Sequence, residues 1–389
     1  MLFSTRSERR PYHLGTYPLE TLPRDESIIE AESDRPRVGA PRYSAVPGNL
    51  LAATLRDYLG IFVENAVSER AAGKAPIPDD PHRRMIDVKG YSYFMNASQV
   101  GICRMPPNAW AEGEKPADHH HAIVLALEHG RVPEEGNPAR AWIESAVAEA
   151  ADARIGGIAV CLAGHIQQLG FAATAHVMDD GSVDAGRLAV LAGLFVRDGE
   201  RLRNPFFDRG FSIAVVTTDY ELAVDKPLAR GALGAKRIRY WFGRNGATSG
   251  RERRRRNRRP THLGSYPVET VKRVDRPTTL ILEDEVPRVS RRASFFDRAL
   301  RGDLGEKARR ERGRFAYKQP HTAGMLGSMG AMVAAQDGEV SPGADTGRYS
   351  DPAANARAIK ALSYFLGADM TGICEIPPYA WYSHDAHGM

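Results

Sequence analysis

The sequence predicts a mixed α/β fold of the α+β kind, with one sheet at its centre. Three observations carry that expectation. Helical and strand-like apolar patterns alternate through residues 80–220, which is the signature of helices packed on a sheet. Two runs, AIVLALE at 122–128 and FSIAVVTT at 211–218, have the length and composition of buried strands. The chain also repeats itself, so one folding unit is drawn twice.

The elements follow in order. Asp80 is a helix N-cap and Pro81 a first helical residue. Met85, Val88, Tyr91, Phe94 and Met95 recur at helical spacing, so a helix is expected over 81–96. Residues 99–105 read as a strand ended by Pro106 and Pro107. Residues 122–128 are the next strand. Asn137 and Pro138 open an alanine-rich helix expected to reach Leu169, with Gly170 as its stop and Gly156 and Gly157 as the place where it would break. A strand over 171–177, a helix over 184–195 and a strand over 211–218 complete the unit.

The repeat has two anchors. RPYHLGTYPLET (10–21) and RPTHLGSYPVET (259–270) share nine of twelve positions at an offset of 249. KGYSYFMNASQVGICRMPPNAW (89–110) and KALSYFLGADMTGICEIPPYAW (360–381) share twelve of 22 at an offset of 271. The second copy is therefore expected to repeat the plan, with a cap at Asp351, a helix from Pro352 to about Leu366 and a strand over 370–376. The offsets differ by 22, and the extra residues fall between Thr270 and Asp351. Segment 297–314 alternates charge and is expected to be an exposed helix or lid, with Phe315 and Tyr317 turning inward. The reading divides the chain into a first copy (1–250), an Arg-rich linker (251–259) and the start of a second copy (260–389), incomplete here. On this expectation the chain is a fragment of a longer protein.

Charge and cysteine content exclude several classes. The net charge is +5, but RERRRRNRR at 251–259 alone carries seven Arg and one Glu, or +6, leaving −1 for the rest. That run reads as a solvated linker rather than a polyanion-binding arm, so no nucleic-acid partner is expected. No apolar stretch of transmembrane length exists, and no apolar run follows the N-terminal arginines, so neither a membrane span nor a leader is expected. Cys103, Cys161 and Cys374 share no close spacing, which excludes a disulfide scaffold and a cysteine-ligated cluster in this stretch. A reducing, cytoplasmic compartment follows.

The remaining chemistry-bearing residues have bland readings. His119, His120 and His121 are consecutive and alternate faces on a strand, so they do not converge on one metal. Cys103 and Cys374 fill the same slot of the repeat and read as core residues. TAGMLGSMGAMVAAQ (322–336) lacks both phosphate-loop endings and reads as a helix of small residues rather than a cofactor wall. Asp385 and His387 lack the spacing of a cobalt-ligating histidine motif. No residue is assigned a catalytic or metal-ligating role from pattern alone.

Certain strings resemble a known family. HLGSYPVETVKR (262–273), DMTGICEIPPYAWYSH (369–384), IGGIAVCLAGHIQQLGFAATAH (155–176), RLAVLAGLF (187–195) and FSIAVVTTDYELAVDKPLA (211–229) resemble the corrinoid-dependent reductive dehalogenases. The likeness is to the soluble, non-respiratory branch, whose cobalamin-binding module is duplicated. It implies a nitroreductase-like fold, similar to the cobalamin-processing proteins, with the second copy truncated here. It implies removal of halide from an organohalide, an aromatic one by preference, with cobalamin and two 4Fe-4S clusters in the full-length enzyme and none held by this stretch alone. It implies a flavin or ferredoxin-type electron donor, and it leaves a homodimer open. The family's proton-donating Tyr, its partner Lys and the cluster cysteines would lie beyond residue 389.

Two departures matter. Where the working module has a glycine-rich approach to the corrin, the first copy has Ala192, Gly193, Leu194 and Phe195, and the Phe195 ring would block a flat macrocycle, so this copy is expected to be cofactor-free. In the second copy Asn108, Ala111 and Gly113 of the first become Tyr379, Tyr382 and His384. Tyr382 and His384 are the substrate-pocket candidates; the bland reading is that they fill a subdomain contact. Two other readings stay open: a non-catalytic corrinoid-binding or scaffold protein, and a corrinoid-dependent queuosine-precursor reductase, against which the duplication counts.

Overall fold

In the computed structural model, which describes residues 10–36, 49–64, 69–111, 117–177, 181–235, 240–243, 249–275, 279–313 and 351–384, four strands pair into one antiparallel sheet. They are β1 (Gln99–Arg104), β2 (His121–Glu128), β3 (Ala173–His176) and β6 (Phe211–Thr218), in the order β1-β2-β6-β3. A small hairpin, β4 (Val196–Asp198) and β5 (Arg201–Arg203), lies apart. β2 reads as a continuous apolar run because both its faces are buried. Ile123 and Leu125 point to one core with Ile102, Ala175 and Val216, whereas Ala122 and Val124 point to the other with Cys103 and Val215.

The helices are α1 (Ser27–Ser33), α2 (Leu50–Glu64), α3 (Pro81–Phe94), α4 (Arg140–Ile143), α5 (Val147–Gln168), α6 (Ala185–Leu191), α7 (Ala232–Ala235), α8 (Gly250–Asn257), α9 (Phe295–Arg301), α10 (Glu306–Gly313) and α11 (Pro352–Phe365). α5 and α2 cover the first face of the sheet, and α6 the second. The expected cap of α3 is made: Asp80 Oδ1 accepts from the His82 N–H at 2.9 Å. Asp351 does the same for α11, accepting from the Ala353 N–H at 2.9 Å.

The long helix breaks elsewhere than expected. The chain turns between α4 and α5, at residues 144–146, and α5 runs straight through Gly156 and Gly157. The glycines give α2 room to pack: a Cβ on Gly156 would lie 2.9 Å from Leu59 Cδ1, and one on Gly157 would lie 3.0 Å from Phe62 Cζ. The helix then stops at Gly170, whose φ is +88°.

One local constellation occurs in both halves. Arg10 donates to the carbonyls of Gly15, Leu14 and Tyr17 and pairs with Glu20. Arg259 donates to those of Gly264, Leu263 and Tyr266 and pairs with Glu269. Gly15 (φ +62°) and Gly264 (φ +65°) sit against the rings of Tyr93 and Tyr364, where a Cβ would come within 2.3 and 2.7 Å. Each tyrosine hydroxyl accepts an N–H seven residues on, from Val100 and Thr371.

Three expectations change. Residues 370–376 form no strand, and Cys374 is exposed rather than buried. In the first half the strand at this place, β1, pairs with β2; the positions matching β2 fall 271 further on, past residue 389. The charged insertion is two short helices, α9 and α10, divided at Gly302 (φ +86°) and Gly305 (φ +89°). Phe315, Tyr317 and segment 322–336 lie outside the described residues.

The Arg-rich run is a helix rather than a wholly solvated linker. Ser249 caps α8 by accepting from the Glu252 N–H. Arg253 folds back on the first half, donating to Glu128 at 2.6 Å with its guanidinium 4.9 Å from the Tyr17 ring. Arg254 and Arg255 stay exposed. Glu128 is a buried carboxylate also paired with Arg209. Arg253→Ser should therefore destabilise the chain by about 1–3 kcal/mol, because a buried acceptor loses a charged donor, while Arg254→Ser should change it by less than about 0.5 kcal/mol. Urea unfolding of the two variants measures the contrast.

Candidate functional site

Segment 377–384 is fixed through its backbone. Pro378–Ala380 forms one 3-10 turn behind Pro377. Arg288 Nε donates to the Trp381 carbonyl at 3.2 Å, the Ser383 N–H donates to Val289 O at 2.8 Å, and the Arg291 N–H donates to His384 O at 3.0 Å. The backbone is thus held while the side chains of Tyr382 and His384 stand exposed, His384 Nδ1 lying 3.0 Å from Ser383 Oγ. The structure brings the two candidates onto one strip. Asp385 and His387 lie outside the described residues.

The first half shows what this frame does when covered. Trp110 bridges to Val183, the Asp184 N–H donates to Ala109 O at 2.7 Å, and the fully buried Arg187 donates to Asn108 O at 2.7 Å. Trp110 is 7% exposed, whereas Trp381 is 57% exposed. Trp381 thus covers no core edge among the described residues. Arg187 was invisible to sequence pattern, since a lone arginine in RLAVLAGLF carries no sign of its burial.

The other candidates resolve into packing. Phe195 is completely buried, with its ring centroid 4.5 Å from that of Phe211. Burial pushes the Cys103 thiol well up and the Cys161 thiol up to about 11, so neither is a thiolate near neutrality. His119 and His121 are buried, and His120 between them is exposed. His119 Nδ1 and His176 Nε2 both meet Thr217 Oγ1 at 2.8 Å, and His176 Nδ1 meets Ser182 Oγ at 2.7 Å. Burial pushes His121 down to about 4, with Arg104 adding to the effect. Among the described residues no three His, Cys, Asp or Glu side chains are grouped to hold a metal ion. Among them, too, no helix is long and apolar enough to cross a membrane.

Two cavities lie away from these places. One, of about 470 Å³, is ringed by Arg131, Arg140, Arg209, Arg258 and Arg259 with Glu134. Glu134 joins the two halves: it accepts from the Thr261 N–H and Oγ1, each at 3.1 Å, and lies 3.3 Å from His262 Nδ1. Burial works to raise the Glu134 carboxyl, but the hydrogen bonds from Thr261 and Asn137 outweigh it and bring the group down to about 2. The other cavity, of about 810 Å³, is a largely apolar groove along α3, where Tyr91 and His165 stack with centroids 4.9 Å apart.

With fold and sites in place, the protein class is a mixed α/β protein of the reductive dehalogenase fold. Over nearly all of its own length the chain is similar to solved reductive dehalogenases. It matches the catabolic reductive dehalogenase NpRdhA at 39% identity and a TM-score of 0.86, covering 97% of this chain and 54% of that one. A reductive dehalogenase described through a mechanism for B12-dependent dehalogenation matches at 40% identity and a TM-score of 0.87, with the same coverage. NpRdhA in complex with 3-bromo-4-hydroxybenzoic acid matches at 40% and 0.86. The chain thus spans about half the length of these structures. No protein-family model matches it, and no curated protein sequence does.

Glu134 gives a pH test of the junction. A carboxyl held below its ordinary value stabilises the fold above about pH 4.5, and that contribution is lost as pH falls towards about 2. Glu134→Ala should unfold earlier in urea than the parent at pH 7, and the gap should narrow steadily below about pH 4.5. Tyr382→Phe and His384→Ala remove exposed atoms and should shift stability by less than about 0.5 kcal/mol in the same assay.

Proposed function

We propose that this chain is the N-terminal part of a cobalamin- and iron–sulfur-dependent reductive dehalogenase that removes halide from an aromatic organohalide. One observation carries the reading: about 40% identity over 97% of the chain to reductive dehalogenases, one of them in complex with a brominated hydroxybenzoate. The overall change is replacement of the carbon-bound halogen by hydrogen, consuming two electrons and one proton and releasing halide. When bound, a corrinoid supplies a reducible cobalt for breaking the carbon–halogen bond. A flavin or ferredoxin-type donor and two 4Fe-4S clusters bring the electrons, in a cytoplasmic enzyme. The queuosine-precursor and scaffold readings gain no support from the relatives above.

Within that enzyme we read the two halves as copies of one nitroreductase-like module. The shared Arg–turn–Gly–Tyr constellation supports this. In the first copy the residues at 192–197 do not fit a flat macrocycle, because the Phe195 ring fills their core, so this copy is read as cofactor-free. The second copy is assigned the corrinoid. Its exposed apolar side chains, among them Met370, Ile373, Ile376 and Trp381, suit a surface that further sequence covers. Tyr382 and His384 would then face the substrate side of the cavity, carried on a backbone held by Arg288 and Arg291.

The test is halide release by the longer gene product, reconstituted anaerobically with cobalamin and iron–sulfur clusters and given a reductant and a bromohydroxybenzoate. Release that depends on both corrinoid and reductant is the expected result. A folded, corrinoid-loaded protein that frees no halide from any aryl halide sinks the proposal. Tyr382→Phe and His384→Ala should lower turnover about tenfold, the scale of one hydrogen bond lost at a reacting centre, with corrinoid content unchanged.

A further inference from the structure

In the second half, the turn at Thr261–Leu263 and the helix α11 are covered by residues 130–147 of the first. Glu134 holds the turn. Ala139 and Ile143 bury against Ala358 and Ala361, with Leu362 and Phe365 beside them. A Cβ on Gly130 would lie 2.9 Å from the Phe365 ring. Thr261 is accordingly 7% exposed.

The matching face of the first half carries no counterpart of residues 130–147 among the described residues, although Tyr91 on it is stacked against His165 of α5. At the offsets of 249 and 271, the counterparts of Thr261, His262, Ala358, Ala361, Leu362 and Phe365 are Tyr12, His13, Asp87, Gly90, Tyr91 and Phe94. All six line the 810 Å³ groove. Tyr12 is 63% exposed and Phe94 61%.

When two copies of one module pack about a pseudo-twofold axis, contacts come in reciprocal pairs: if one patch of the first copy covers a face of the second, the same patch of the second covers that face of the first. The cover that residues 130–147 make over the second half is one contact of the kind such a pair contains. We propose that the groove along α3 is the docking surface for the stretch of the second copy lying 271 positions after residues 130–147. The inference rests on the duplication reading above. The relatives are long enough to contain that stretch, since this chain spans 54% of them.

A second copy of this chain is a poor occupant, because its own residues 130–147 already cover its own α11. The chemistry of the missing stretch follows from the template. It carries an acidic residue to meet the turn at His13, as Glu134 meets His262. A short helix follows, with small apolar residues like Ala139 and Ile143 on its docking face. It departs from the template at one place. Asp87 stands where α11 has Ala358, so the docking helix needs a hydrogen-bond donor there, or a carboxylate is buried without a partner.

Hydroxyl-radical footprinting of the longer gene product beside the 389-residue chain tests this. Tyr12 and Phe94 should be oxidised several-fold less in the longer product, with Phe242, exposed in this structure, as the unchanged control. Equal oxidation in both proteins overturns the proposal. So does protection that appears only as concentration rises, which makes a second copy the occupant. A second readout is Gly90→Arg: an added Cβ there meets nothing within 4 Å. The variant should leave melting of the 389-residue chain unchanged and lower that of the longer product by about 2–4 °C or more. An equal drop in both refutes docking at this face. A downstream sequence with no match to residues 130–147 would instead defeat the duplication reading itself, a failure distinguishable from a repeat that is present but does not dock.

Discussion

A β-strand satisfies its backbone only through a neighbour, and that constraint governs the contrast between the two halves. In the first, β1 lies beside β2, and β2 in turn lies between β1 and β6 with both faces buried. The GIC segment, the double proline and Trp110 then fall into place against α6, locked by Arg187 and Asp184. In the second half the same residue types at 372–381 lack a strand to pair with among the described residues. They form no strand, and Cys374 and Trp381 are exposed. Like sequence gives unlike structure because the partner, and not the segment, supplies the hydrogen bonds.

Helices need no such partner, which is why the repeat is best expressed there. The caps at Asp80 and Asp351, the helices α3 and α11 and the arginine-held turns before them are alike in both halves. Each turn needs one glycine at positive φ, because a tyrosine ring lies where a side chain would stand. Those demands are local, so they were legible as identical letters. The two buried strands of the central sheet were legible too, through length and β-branching.

What escaped the sequence was set by distance. Gly156 and Gly157 look like helix breakers in isolation, and only the approach of Leu59 and Phe62 from α2 turns them into packing residues. The arginine run looks solvated because neither Glu128 nor Tyr17, which receive Arg253, is near it in sequence. Tyr382 and His384 could be singled out because the repeat gave a reference, Ala111 and Gly113, to differ from. No such reference existed for Glu134, whose matching position falls past residue 389.

Matched positions in the two halves are therefore of two kinds. Where geometry leaves no choice, as at Arg10 and Arg259 or Gly15 and Gly264, the copies agree. Where they differ, the structure says what the difference does. Phe195 closes the core of the first copy beside the hairpin of β4 and β5. Asp87 puts a carboxylate on a face where α11 has a methyl. Arg104 lies beside the buried His121 and helps to lower it, while the second copy has Glu375 at that point. A substitution that reverses charge on a matched position cannot serve the same contact in both copies. The two halves keep the same helix caps and arginine-held turns and are fitted to different neighbours.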